Sequence, residues 1–289
     1  MKNFVITKKA YGKTNLFLRC LRKREDSFTE IETLFLPVPS VCDTLSFSFD
    51  DSGVIRMECD NPSLPCDGGN LCVRAAEKFL EAAKLAGKGV TIHLEKHIPI
   101  AAGMGGGSSD AACTLLALQE FFGCLSEKAL ALLALSLGSD VPFFLRNTPC
   151  IGTGRGELLT PILPRKGTVF PLLFAAPGFP VSAKWAYTHL DWARLPEKPV
   201  LAEAVKAVEE GDIPLLKRSL RNDLQAALLE KFPLLQILFQ KFRSYGGTPL
   251  VSGSGPTVFA LFESEKARDE MWEKEKDAFD KEHIVFFKG

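Results

Sequence analysis

The stretch Pro99–Ala112 reads PIAAGMGGGSSDAA and places four glycines between an apolar, strand-like run at 90–94 and a helix-like run at 108–122. Glycine permits positive φ and lets a ligand come close to the main chain, because it has no Cβ. The polar residues Ser108–Asp110 are of the types that begin helices. A glycine loop ahead of a helix N-terminus presents N–H groups and the positive end of the helix dipole. The stretch therefore predicts a phosphate-binding loop.

Three better-known phosphate loops do not fit this stretch. A Walker A loop needs a lysine after its last glycine, but Gly107 is followed by Ser108. In the dinucleotide-binding pattern counted from Gly103, the third glycine would fall at Ser108, which disfavours a nicotinamide oxidoreductase. A protein-kinase loop needs a valine after its glycines and further motifs that the chain lacks. A flexible Gly/Ser linker is the remaining alternative, although linkers rarely lie between a β-branched run and a capped helix.

The composition is that of an ordinary globular protein: 289 residues, of which 46% are hydrophobic and 24% charged. Lys+Arg and Asp+Glu both number 35, and this balance argues against a nucleic-acid or membrane-surface partner. The eight cysteines form no C-x-x-C pair and the four histidines no ligand spacing, so we expect reduced thiols and no protein-built metal site. Without a signal peptide or a membrane-length apolar run, a cytoplasmic enzyme is the expectation.

Strands and helices alternate irregularly along the chain, which favours an α+β fold in two parts. The pattern of apolar residues predicts, in the first part, strands at 15–21, 30–38, 44–49 and 90–94, a helix capped by Asn70 and a helix from Ser126 to Gly138. We place the domain junction in the Gly- and Pro-rich stretch 152–166. The second part is predicted to contain helices at 200–210, 212–220, 222–242 and 264–280 and strands at 169–175, 250–251, 257–262 and 284–287.

Two polar residues are candidates for chemistry beside a phosphate loop, which needs a cation and a base. Lys13 lies at the entry of a strand, although a single lysine is more often a solvated surface charge. Asp140 follows a helix-ending glycine and precedes the apolar run VPFF. Such surroundings suit a general base, although an aspartate after a helix is more often a turn residue. A further glycine segment, Ser252–Gly255, alone indicates only a tight turn.

Taken in order, these segments resemble the motifs of the GHMP kinase superfamily. They are KTNL at 13–16, the central glycine stretch, LGSDVPFF at 137–144 and VSGSGPTVFALF at 251–262. The resemblance covers nearly the whole chain and implies ATP-dependent phosphorylation of a small-molecule alcohol. It also implies a two-domain α+β fold, with a ribosomal-protein-S5-like domain carrying the ATP loop at 1–157 and a ferredoxin-like domain at 158–289.

The resemblance assigns roles to individual residues. Asp140 is implied to be the general base that takes the proton of the substrate hydroxyl, and Lys13 the cation that stabilises the transferred charge. ATP is implied to bind together with Mg²⁺, with a serine of the glycine motif near the ion and Asn70 near the adenine. The loop residues implied to contact ATP are Pro99, Ile100, Ala101, Ala102, Gly103, Met104, Gly105, Gly106, Gly107, Ser108 and Ser109.

The residues implied to bind the substrate are Asn15, Phe28, Thr29 and Tyr187. The resemblance is strongest to family members whose small-molecule substrate is linked to cytidine diphosphate, and we expect a monomer or a homodimer. Those members usually carry Asp-Gly-Tyr-His where this chain has Asp26-Ser-Phe-Thr29. Phe28 retains a ring that can stack on cytosine, whereas Thr29 cannot reach as far as an imidazole.

Two alternatives remain open at this point. Another small-molecule kinase of the superfamily, of the homoserine or mevalonate type, is disfavoured by the ETLF sequence at 32–35 and the placement of Lys13. A non-catalytic ligand-binding member of the fold is disfavoured because both Lys13 and Asp140 are retained.

Overall fold

A computed structural model describes residues 5–289 and shows an α+β protein in which strands and helices are mixed. The strands are β1 Val5–Lys23, β2 Thr29–Asp50, β3 Ile55–Cys59, β4 Gly89–Glu95, β5 Cys150–Thr153, β6 Leu158–Pro161, β7 Leu172–Ala176, β8 Arg221–Asn222, β9 Thr248–Val251, β10 Val258–Leu261 and β11 Val285–Lys288. The helices are α1 Leu71–Ala82, α2 Gly106–Phe122, α3 Glu127–Leu137, α4 Val141–Phe144, α5 Ala183–Thr188, α6 Leu201–Glu210, α7 Ile213–Ser219, α8 Gln225–Lys231, α9 Pro233–Ser244 and α10 Glu265–Lys281.

The chain forms two compact units, and each is interrupted in sequence. The first unit comprises, within the described part of the chain, residues 5–12, 41–98 and 105–147; the second unit comprises 13–40, 99–104 and 148–289. The long strands β1 and β2 therefore contribute residues to both units. In the first unit, the end of β2 pairs antiparallel with β4, and β4 pairs parallel with β3.

The core of the first unit forms where helices α1 and α2 pack beside these strands. Phe47 and Ile92 are opposite each other in the β2–β4 register, and both are fully buried. Phe79 of α1 and Leu115 of α2 are fully buried as well. The helix α1 buries one side, because residues three and four apart share a face of a helix. The buried residues are Cys72, Val73, Ala75, Ala76 and Phe79.

The second unit contains an antiparallel sheet in the order β11-β7-β10-β9. Leu235 and Phe242 of α9, Met271 of α10 and Val251 of β9 are fully buried in the core of this unit. Elsewhere in the unit, β5 pairs with the start of β2 and with β6, and β8 pairs parallel with β1. The cluster at Gly152–Gly156 thus lies at a β-hairpin turn.

Among the boundaries that differ from the sequence expectations, three have a clear description. The strands predicted at 30–38 and 44–49 are one strand, β2, which continues through the exposed Pro39 and Ser40. The helix predicted at 222–242 is divided into α8 and α9, because Pro233 has no N–H and begins a new helix. The helix predicted from 108 begins two residues earlier, at Gly106, so the serines lie inside it. All eight cysteines are free thiols, as expected.

None of the helices in residues 5–289 is both long and apolar enough to cross a bilayer.

Candidate active site

The first half of the glycine-rich stretch, residues 99–104, belongs to the second unit and is held there by its carbonyl groups. The carbonyls of Ala101, Ala102 and Met104 accept hydrogen bonds from the N–H groups of Val181 (3.3 Å), Thr257 (3.3 Å) and Lys13 (3.0 Å), respectively. The carbonyl of Gly103 accepts one from Ser252 Oγ at 3.1 Å. Four consecutive carbonyls thus point into the protein.

This arrangement decides where the N–H groups of the same stretch point. In a trans peptide the C=O of one residue and the N–H of the next lie on opposite sides of the chain. The N–H groups of residues 102–105 therefore point away from the partners of those carbonyls. Main-chain N–H groups directed outward from a glycine loop are suitable donors for phosphate oxygens.

Gly103 is the point of closest approach between this stretch and the Ser252–Gly255 turn. Its φ is +77°, and a Cβ at this position would collide with the carbonyl of Ser252. Ser252 in turn accepts a hydrogen bond from Thr14 Oγ1 at 3.0 Å. Asn222 holds the other side of the turn, since its Nδ2 donates to the carbonyls of Val251 and Gly253 at 2.7 Å each.

Lys13 is buried beside the same turn. Its Nζ donates to Asn15 Oδ1 at 2.8 Å and lies 5.2 Å from the centroid of the Phe35 ring. Asn15 Nδ2 donates to Thr33 Oγ1 at 2.7 Å, so the amide of Asn15 is held in one orientation. A Cβ on Gly253 would lie 3.4 Å from Lys13 Nζ. The buried ammonium is therefore held beside the glycine turn by a chain of hydrogen bonds from β2.

The second half of the glycine-rich stretch belongs to the first unit and begins α2. The helix is preceded by Gly105, which has φ +71° and provides no side-chain cap, and its first turn contains no acidic residue. The first N–H groups of an α-helix have no partner within the helix. The start of α2 thus combines uncapped N–H groups with the positive end of the helix dipole. Ser109 is buried, and its Oγ has no hydrogen-bond partner within the described residues.

Asn70 and Asp140 also lie in the first unit. Asn70 caps α1, since its Oδ1 accepts from Cys72 N at 2.9 Å and its Nδ2 donates to the Pro65 carbonyl at 2.8 Å. A Cβ on Gly107 would lie 3.7 Å from Leu71, the first residue of α1. Asp140 is half-buried and immediately precedes the short helix α4, in which Phe143 and Phe144 are buried. Its carboxylate is thus carried by a short connection between two helices.

Phe28 lies in the second unit, in a turn between β1 and β2, and half of its surface is exposed. The Arg155 guanidinium lies over its ring, 4.7 Å from the centroid. Arg155 is itself held by Glu157, which accepts from the Arg155 N–H at 2.5 Å and from its Nε at 3.4 Å. Thr29 begins β2 next to Phe28, whereas Tyr187 is half-buried on α5 and packs against the core of the second unit.

The structure brings together several of the predicted residues within each unit. Lys13, Asn15, Gly103 and Gly253 converge in the second unit. Sequence reasoning missed the polar groups that hold them: Thr14, Ser252 and Asn222 support the turn, and Arg155 lies on Phe28. The available indication was that Thr14 and Ser252 lie inside motifs already identified and that Arg155 lies in the Gly- and Pro-rich stretch 152–166.

Two family models match the chain. The model of the GHMP kinases N terminal domain matches residues 70–148, and that of the GHMP kinases C terminal matches residues 204–281. The fold and the glycine-rich loop therefore define a GHMP kinase.

Among curated relatives, the 4-diphosphocytidyl-2-C-methyl-D-erythritol kinase of Syntrophus aciditrophicus (strain SB) is 40% identical over 89% of this chain and 90% of its own length. That of Clostridium novyi (strain NT) is 33% identical over 96% of this chain and 98% of its own length. The chain belongs to the family of 4-diphosphocytidyl-2-C-methyl-D-erythritol kinases.

Solved structures agree with this assignment. A crystal structure of 4-(cytidine 5'-diphospho)-2C-methyl-D-erythritol kinase is 33% identical in sequence and has a TM-score of 0.78. The match covers 94% of this chain and 96% of the chain in that structure. A homoserine kinase from Cytophaga hutchinsonii has a TM-score of 0.74 at 18% identity, and this likeness shows the fold alone.

The close approach at Gly103 predicts a loss of stability in Gly103→Ala. Alanine at φ +77° is strained, and its Cβ would force the Ser252 carbonyl to move. We expect the free energy of unfolding to fall by about 2 kcal/mol or more, measured as the urea midpoint by circular dichroism. Gly107→Ala is the matched control, because its Cβ would make only an ordinary contact with Leu71. Equal midpoints for the two variants would contradict the assigned packing of the loop.

Proposed function

We propose that this protein transfers the γ-phosphoryl group of ATP to the 2-hydroxyl of 4-diphosphocytidyl-2-C-methyl-D-erythritol, a step of the non-mevalonate isoprenoid pathway. The family membership supports the kinase activity. The observation that carries the proposal is the glycine-rich stretch, whose carbonyls are engaged by the protein and whose N–H groups point away from those partners.

Phosphoryl transfer needs little covalent chemistry from the protein, so positioning and electrostatic stabilisation supply most of the rate enhancement. We assign to Asp140 the role of general base that accepts the proton of the substrate hydroxyl as the oxygen attacks phosphorus. Lys13 is assigned the role of the cation that stabilises the negative charge on the transferred group. Its burial and the hydrogen bond to Asn15 support this role, because a buried, pre-oriented ammonium needs little reorganisation during the reaction.

ATP is proposed to bind with its phosphates along residues 99–109 and its adenine near Asn70. The buried Ser109 hydroxyl, which has no hydrogen-bond partner within the described residues, fits a Mg²⁺ ion that arrives with ATP, because this ion commonly binds through phosphates and few protein groups. The bound ion would neutralise charge on the β- and γ-phosphates. The unpartnered Ser109 hydroxyl is a protein group suited to face the phosphates.

The cytidine group is proposed to be recognised by stacking on Phe28. The exposed half of the ring is available for a base, and Arg155 over the ring restrains its orientation. Asn15, Thr29 and Tyr187 remain predicted substrate contacts. For Asn15 the structure supports a positioning role in addition, since its amide oxygen accepts from Lys13.

The boundary between residues 157 and 158, a cytoplasmic location and a monomeric or homodimeric state are further predictions that accompany this proposal. Limited proteolysis, cell fractionation and sedimentation would test them in turn.

Replacement of the proposed base predicts a loss of turnover without a loss of nucleotide binding. In Asp140→Asn we expect kcat to fall on the order of 10²–10⁴-fold, because the amide cannot accept the proton. Asp51→Asn, at an exposed site of the same unit, serves as a control with unchanged kcat. Steady-state kinetics and calorimetric ATP binding check both. A variant that keeps more than about a tenth of wild-type kcat excludes Asp140 as the base, because tenfold is only about 1.4 kcal/mol of barrier.

We predict that loss of the Phe28 ring weakens substrate binding. In Phe28→Ala we expect the substrate dissociation constant to rise by the equivalent of about 1–3 kcal/mol, the contribution of one base–aromatic stack. Phe28→Tyr is the matched control, since it keeps the ring that Arg155 contacts. The measurement is calorimetric titration with the cytidylylated substrate. An unchanged affinity in Phe28→Ala would place the cytosine elsewhere.

Because residue 29 is threonine rather than histidine, we predict weak discrimination between the cytidine substrate and its uridine analogue. Stacking alone discriminates less between bases than a hydrogen bond to a polar edge does. We therefore expect Thr29→His to raise the ratio of kcat/KM for the cytidine substrate over its uridine analogue. Thr29→Val, which keeps the branched shape without the hydroxyl, is the control. If Thr29→His leaves the ratio at the wild-type value, residue 29 does not face the base.

A further inference from the structure

A buried lysine lies beneath the start of α2, within the first unit. Lys96 follows β4 directly, and only 5% of its side chain is exposed. Its ammonium forms an ion pair with Asp43, whose side chain is fully buried, and donates to Asp110 Oδ2 at 2.8 Å. The β2–β4 register explains the first pair: Thr44 is opposite Glu95, so the preceding Asp43 is adjacent to Lys96.

These three residues connect the main chain on both sides of the four glycines. Asp43 Oδ1 accepts from the N–H groups of His97 and Ile98 at 2.6 and 2.7 Å, just before Pro99. Asp110 is the fifth residue of α2, just after the glycines. Lys96 bridges the two carboxylates. The cluster thus holds residues just before the loop and residues just after its glycines.

Gly106, the first residue of α2, packs directly on the ammonium. A Cβ at this position would lie 2.9 Å from Lys96 Nζ and 3.0 Å from Ile98 Cγ2. This residue has no positive φ, so a glycine is needed here for close approach rather than for backbone conformation. The position of the first turn of α2 is therefore set against the Lys96 head group.

The cluster fixes the position of the first turn of α2 and does not itself attract an anion. One ammonium between two carboxylates supplies no net positive charge for a bound anion. Burial raises the pKa of Asp110 to about 7, while the nearby Lys96 ammonium opposes this change. Asp110 Oδ1 and Ser109 Oγ are buried without a hydrogen-bond partner in the described part of the chain. Unsatisfied polar atoms at this turn are a cost that a purely structural helix start would avoid.

We propose that Lys96 is a positioning residue for ATP, which holds the first turn of α2, through Asp110 and Gly106, in the geometry that presents its N–H groups to the phosphates. Lys96 does not touch the nucleotide in this assignment. The inference rests on the proposed function, because it takes the start of α2 as part of the ATP site.

The test compares Lys96→Met and Asp110→Leu with Asp110→Asn. Lys96→Met keeps the length of the side chain without its charge, and Asp110→Leu removes the connection to α2 while keeping the Lys96–Asp43 pair. Asp110→Asn retains an oxygen that can accept from Lys96, so it is the conservative variant. Lys88→Met, which removes an exposed lysine paired with Asp51 in the same unit, is the matched control.

We expect the ATP dissociation constant, measured by calorimetry without phosphoryl acceptor, to rise at least about tenfold in Lys96→Met and Asp110→Leu. Affinity in Asp110→Asn and Lys88→Met should stay within about twofold of wild type. In steady-state kinetics, KM for ATP should rise in the first two variants, while kcat at saturating ATP and KM for the acceptor change little. Thermal melts establish which variants are folded, and if Lys96→Met is not, Asp110→Leu carries the test.

Wild-type ATP affinity in a folded Lys96→Met or Asp110→Leu overturns the proposal. So does a loss in which KM for both substrates changes in parallel with the melting temperature, because that result indicates a structural role alone. If the wild-type protein itself binds no ATP, the proposed function fails instead, and the two failures are therefore distinguishable.

Discussion

The orientation of the main chain from Ala101 to Met104 is the constraint on which the rest of the candidate site depends. Its carbonyls are engaged by Val181, Thr257, Ser252 and the main chain of Lys13, so the peptide planes cannot rotate without breaking several hydrogen bonds at once. A loop that presents N–H groups to an anion must otherwise spend free energy on ordering those peptides when the ligand arrives. Here the protein has ordered them in advance.

Pre-ordering of the loop requires close contact between its backbone and that of a neighbouring segment. The Ser252–Gly255 turn provides this contact. Gly103 packs on the Ser252 carbonyl, and Asn222 fixes that turn by donating to Val251 and Gly253. The same turn borders Lys13, whose ammonium is held by Asn15. Loop, turn and lysine in the second unit are thus one hydrogen-bonded assembly, in which a change at any member shifts the others.

Much of this could be predicted from sequence, because the decisive features are local. Asn70 is an N-cap and Gly138 ends a helix, and both rules act over a few residues. The ion pair between Asp43 and Lys96 spans 53 positions and depends on the β2–β4 register, which no local rule supplies. The continuation of β2 through Pro39 likewise depends on strand pairing rather than on propensity.

α2 begins without a side-chain cap, as α6 and α9 also do, and its first turn contains two glycines. α1, α3 and α10 are capped by the side chains of Asn70, Ser126 and Ser264, respectively. A side-chain cap contributes about 1 kcal/mol to helix stability. A glycine inside a helix lowers that stability by about 1 kcal/mol relative to alanine. α2 forgoes the cap and begins with two glycines. A side chain at Gly106 would displace Lys96, and a capping side chain would occupy the N–H groups that a phosphate needs. The start of α2 thus leaves its N–H groups uncapped at a cost in helix stability, which suits the proposed phosphate site.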